Sequence, residues 1–163
     1  MSSQSSAGSA PLMDDVGLPD YEQDLVAWAE ANACLLRAGR LSEVDAEHIA
    51  EELEDVGKSE RRALGSHLRN LMLHLLKWQF QSGLRGPSWR RSIQNSRQEI
   101  QVVLADSPSL RPRVQDLVAD EYPRALRLAV TETGLSARDF PADCPYAVEQ
   151  LLDDDWLPDP AGR

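Results

Sequence analysis

Apolar side chains recur every three or four residues along most of this chain, which is the period of a helix packed on one side. The first predicted helix runs from about Tyr21 to Ala38, with Leu25, Trp28, Ala29, Leu35 and Leu36 as its buried stripe. Asp20 caps it, Gln23 completes a capping-box-like pair, and Gly39 is free to take the positive φ that ends a helix. Asn32 falls on the same stripe, so burial obliges it to find a hydrogen-bond partner. A second helix spans about Val44 to Val56, capped by Ser42 or Asp45, and Ile49, Leu53 and Val56 mark its buried side. Gly57 is expected to stop it. A third helix follows from about Ser59 to Gln81, with a wide arc of Leu64, Leu68, Leu71, Met72, Leu75 and Leu76. The second and third are expected to pack antiparallel across a very short turn.

Ser88 caps a fourth helix, Trp89 to about Ala105, with Ile93, Ile100, Val103 and Leu104 inward. Ser107-Pro108-Ser109 stops it and opens a fifth, Leu110 to Thr133, in which Pro123 is expected to kink or split the helix. A short sixth helix covers about Tyr146 to Leu152. No stretch alternates apolar and polar residues, so strands are not expected. The fold class is all-α: a single bundle of about five to six helices, mostly antiparallel, over residues 20–158. Residues 1–19 read as a disordered tail rich in Ser, Gly and Pro, with Met1 and Met13 both open as the start, and residues 159–163 as a C-terminal tail.

Composition narrows the setting. The chain has 163 residues, enough for one domain with its own core. Its two cysteines, Cys34 and Cys144, lie far apart without metal-ligand spacing, so a reduced, cytoplasmic location is expected. No segment reads as a signal peptide or a membrane span. The formal net charge of −10 argues against nucleic acid as a partner. Its distribution is uneven. Residues 1–57 hold 13 acids and 2 bases, residues 58–97 hold 9 bases and one acid, and residues 98–163 hold 13 acids and 6 bases.

Several ordered strings carry a family resemblance. They are Tyr21-Glu-Gln-Asp-Leu-Val-Ala-Trp28, Glu51-Glu-Leu-Glu-Asp-Val-Gly-Lys-Ser59, His74-Leu-Leu-Lys-Trp78 with Gln81, Ser88-Trp89, Pro108-Ser-Leu110, Glu132-Thr-Gly-Leu135 and the Phe140 to Tyr146 segment. Over about Asp20 to Pro158 the chain resembles the bacterial family called domain of unknown function 29. The resemblance implies a small helical protein and supplies no activity, cofactor or catalytic residue.

Candidate chemistry therefore rests on residue types alone. Glu52 lies at the edge of the second helix's buried side, and His67 and His74 share one edge of the third. If those helices fold back on each other, Glu52 approaches the imidazoles. Carboxylate with imidazole inside a bundle suits a metal or acid–base catalysis. Glu52, His67 and His74 are thus the catalytic and metal candidates. Against this, a boundary Glu52 accepting a hydrogen bond from a histidine or tryptophan would simply lock two helices, and this plainer role is favoured. A second candidate is an interaction face of Arg85, Trp89, Arg90, Arg91 and Arg97, paired with acids of the same chain, of a protein partner or of a second copy in a homodimer. No nucleophile elbow, phosphate loop or dinucleotide fingerprint is present, and no cofactor is expected. The favoured function is a protein-interaction or regulatory module working through a charged face. The alternative is a bundle-core metal-binding or acid–base enzyme.

Overall fold

The computed structural model describes residues 17–161, so most of the expected N-terminal tail lies outside the described residues. Five α-helices occur among the described residues, and no strand does: α1 Leu25–Arg37, α2 Ala46–Phe80, α3 Pro87–Asp106, α4 Val114–Thr133 and α5 Val148–Leu152. Short 3-10 turns join most of them. The all-α class expected from the periodicity is what the chain adopts. No described helix is long and apolar enough to cross a membrane. The described residues group into two compact units, divided between Leu53 and Glu54.

In the first unit α1 begins later than the sequence suggests. Asp24 is its N-cap and accepts from Ala27 N at 3.0 Å. Asp20 instead closes a turn ahead of it, accepting from the N–H groups of Glu22 and Gln23. After α1, Gly39 takes φ +72°, a left-handed value that suits glycine, and the chain reverses. The tip residues Asn32 and Asp45 meet, as do Tyr21 and Glu52 at the open end, so α1 and the start of α2 run antiparallel.

The expected turn at Gly57 is absent. The second and third predicted helices are one helix of 35 residues. Glycine costs an exposed helix interior only about 1 kcal/mol, and this can be outweighed locally. Lys58 bonds Asp55 at 2.9 Å and lies 3.6 Å from Glu54, so ion pairs one turn apart span the glycine.

The second unit holds the apolar core. Leu64, Leu68, Leu71, Met72, Leu75 and Leu76 of α2 pack with Ile93, Ile100 and Leu104 of α3 and with Val118, Tyr122, Ala125 and Ala129 of α4. Pro123 sits inside α4 without splitting it. Pro123 and Ala119, whose carbonyl would have received the missing N–H, are both exposed, which leaves the freed group open to solvent. Before α4 the chain makes a 3-10 turn over Pro108–Arg113, where the sequence suggested α-helix from Leu110. Tyr146 precedes α5 and is buried in the core. The segment after α5 is tied back by Ala161 N, which donates to Gln79 O at 3.0 Å.

Candidate functional site

The densest polar cluster of the first unit surrounds Asp45, just before α2. Its Oδ2 accepts from Trp28 Nε1 at 3.0 Å and from His48 Nδ1 at 2.7 Å. A carboxylate only accepts, so His48 carries its proton on Nδ1. The backbone N–H of Asp45 donates to Asn32 Oδ1 at 2.9 Å, and Asn32 Nδ2 donates to Trp28 O. Asn32, buried on the α1 stripe, thus finds the partners its burial demands.

Aromatic packing covers this network. The Tyr21 ring stacks on His48 with centroids 4.2 Å apart and planes 23° apart, and it meets Trp28 edge-on at 4.9 Å. Its hydroxyl donates to Glu52 Oε1 at 2.6 Å. That bond to a carboxylate, reinforced by burial, pushes the Tyr21 phenol up to about 12. The hydrogen bond to Asp45 raises the His48 pKa above its ordinary value, against the pull of burial. The same bond, with the Trp28 donor, lowers Asp45. The chemical content is a carboxylate–imidazole pair under a tyrosine ring. Its arrangement suits a pH-sensitive clamp holding the α1–α2 hairpin.

The catalytic and metal candidates do not converge through the expected hairpin. Glu52, His67 and His74 all belong to α2, and no turn folds Glu52 back on the histidines. Glu52 is held by Tyr21, a helix-locking role like the one expected, with a different donor. His74 Nδ1 contacts the carbonyl of Asn70 on its own helix at 2.9 Å. Among the described residues no group of three His, Cys, Asp or Glu side chains could hold a metal ion.

The basic face also changes. Arg97 is 1% exposed, so it cannot belong to a contact surface. Its guanidinium donates to the carbonyls of Leu151, Asp154 and Gln150 at 3.0, 3.3 and 3.1 Å, closing the C-terminal end of α5. Burial lowers its pKa, and Asp153, Asp154 and Asp155 act in the opposite direction. Arg85 is likewise committed. It donates to Trp78 O at 2.8 Å and to Pro158 O at 3.4 Å, with its guanidinium 4.9 Å over the Trp78 ring. Trp89 is half-buried with Lys77 over its ring. Arg90 and Arg91 remain exposed. The sequence placed Arg85 and Arg97 on the surface because it could not show that the C-terminal segment returns to cover them. Beside α3 a recess of about 510 Å³ is lined by Gln94, Asn95, Gln98, Gln101, Asp154 and Asp155. All six are polar, whereas small-molecule pockets are mostly apolar.

The largest departure from expectation lies on the first hairpin. The stripes written for burial are mostly bare. Trp28 is buried, whereas Leu25, Leu36 and Leu53 are 49%, 44% and 68% exposed. Trp28 and Asn32 point from α1 towards α2, and Leu25, Ala29 and Leu36 lie roughly 40–80° further round the helix. Asp45, His48 and Glu52 point back towards α1, and Ile49 and Leu53 lie roughly 70–110° further round in the same sense. On antiparallel helices the same sense of rotation leads to the same side of the pair. Leu25, Ala29, Leu36, Ile49 and Leu53 therefore form one apolar side. Of the cluster residues, the sequence singled out Glu52, offered Asp45 only as a helix cap, and passed over Tyr21 and His48 as site residues. The available signals were the Asp45–His48 spacing of one helical turn and the polar Asn32 on an apolar stripe.

The model of the family described as "Domain of unknown function DUF29" matches residues 21–157. No curated protein and no solved structure matches the chain.

Proposed function

The chain belongs to the DUF29 family of domains of unknown function, and from that premise we propose that it is a helical protein-interaction module that docks its partner on the bare apolar side of the α1–α2 hairpin. One observation carries this. Helical periodicity assigns Leu25, Leu36 and Leu53 to buried stripes, yet the described chain leaves all three exposed. Clustered exposed leucines on a helical pair are the usual mark of a partner surface. The reading moves the contact surface away from the arginines in and just before α3, of which Arg85 and Arg97 serve the fold. It requires no catalytic group. Cys34 and Cys144, both free thiols, suit a reduced cytoplasm as its place of work.

Site-specific photo-crosslinking in cells tests the proposal. A photoreactive residue in place of Leu36 should trap a discrete protein adduct, and Leu25→Ser or Leu53→Ser should abolish the trapping. A photoreactive residue in place of the exposed Arg127 of α4 should trap nothing. Equal trapping at both positions, or none at either, rejects the reading.

A further inference from the structure

Resting on that docking reading, we infer that the occupant of the hairpin's apolar side is a basic amphipathic helix of a partner protein. Charge selects it. Residues 17–53 carry nine carboxylates and two arginines. One of the two, Arg40, is taken by Glu43 through a bidentate ion pair. Glu30 and Glu47 are both exposed, on the outward sides of α1 and α2, roughly 100–160° round from the apolar residues. Neither has an ion-pair partner among the described residues. The surface is therefore an apolar strip in a negative field.

The same arithmetic weighs against a second copy of this face. Two such hairpins brought together would place net-negative surfaces in contact, and like charges across an interface are costly. A helix with leucine-like residues on one side and lysine or arginine on its flanks meets both the strip and the negative field around it. Length agrees as well. Leu25 and Leu36 are three helical turns apart, roughly 16 Å, which an occupant helix of about 11 residues or more spans with anchors on successive turns.

The test uses the full chain and two labelled helical peptides of about 14 residues, the length the strip calls for. One combines leucine with lysine, and the other combines leucine with glutamate in the same apolar pattern. Fluorescence anisotropy should show the lysine peptide binding at least tenfold tighter than the glutamate peptide. Raising the salt should weaken it several-fold. Leu36→Ser and Leu53→Ser should each cost several-fold or more, whereas Leu84→Ser, exposed in the other unit, should cost nothing. Glu47→Gln, which removes one charge from the hairpin's field without touching the aromatic cluster, should weaken the lysine peptide alone.

Other outcomes separate the two claims. Equal binding of both peptides overturns the basic-helix assignment and leaves the docking reading standing. So does self-association of the chain, seen by sedimentation and abolished by Leu36→Ser. If the lysine peptide binds the two leucine variants as well as the parent, it adheres by charge alone and the assignment is overturned. If neither peptide binds and the chain stays monomeric, the docking reading falls with it.

Discussion

Asp45 organises the first unit more than any other side chain. Trp28 and His48 both donate to one of its oxygens, and its own N–H is received by Asn32. Its link to His48 makes the hairpin sensitive to pH. His48 holds its proton more tightly in the folded chain, so its contribution is complete below the unfolded value of about 6.5 and is lost as pH rises through the higher folded value. Asp45 behaves in reverse. Its contribution is complete above the unfolded value of about 3.9 and is lost as pH falls through the lower folded value. The pair thus supports the hairpin best between roughly pH 4 and 6.5. An NMR titration should find the His48 midpoint above the ordinary imidazole value, and Asp45→Asn should bring it down. An unchanged midpoint in that variant would refute the clamp. Arg97 invites a second test at this scale. Arg97→Met fills similar space but strands three carbonyls around α5. The expected loss is about 3 kcal/mol in urea unfolding, since each stranded buried acceptor costs about 1–3 kcal/mol and water reaches part of this site. A loss below about 1 kcal/mol would make Arg97 a passenger, by the same scale.

Two glycines show what an element requires of a residue. Gly134 ends α4 at φ +70°, a conformation that side chains with a Cβ adopt at a cost of about 1 kcal/mol or more. Gly57 lies inside α2, and a Cβ added there meets nothing within 4 Å. Gly57→Ala should therefore stabilise the protein by up to about 1 kcal/mol, and Gly134→Ala should destabilise it by a similar amount. Thermal or urea melts of the two variants decide the point. A destabilising Gly57→Ala would mean that the chain bends there after all. The same pair explains what the sequence disclosed. Helix existence was legible because the Leu64 to Leu76 arc and the α4 stripe have an unmistakable period. The joining of two helices at Gly57 was not, because glycine signals a stop equally well whether or not flanking ion pairs carry the helix past it. The candidate site was half legible. Glu52 stood out at a helix edge, but its Tyr21 donor, read as the start of the first helix, sits in a turn ahead of α1, where helical spacing says nothing about direction.

The two units are unequal in what they bury. Nineteen apolar residues of the second form its buried core, whereas Trp28 is the one large apolar side chain fully buried in the first among the described residues. Burying one such side chain contributes about 2–3 kcal/mol, so local opening of the first unit should be cheap. Native-state hydrogen exchange should then show α1 amides protected by no more than roughly a few hundredfold, while α4 amides from Leu117 to Ala129 exchange only through far rarer openings. Trp28→Ala should remove protection in α1 and leave α4 within about threefold of the parent, since α4 belongs to the other unit and its core does not include Trp28. A variant that loses protection equally in both helices would show a single cooperative unit and defeat the expectation. The low local stability is also what a docking element needs. An apolar side left open costs the free hairpin stability that an occupant can restore by mass action. Addition of the leucine–lysine peptide should accordingly raise protection in α1 and not in α4. A peptide that binds tightly yet leaves α1 exchange unchanged would place its site elsewhere.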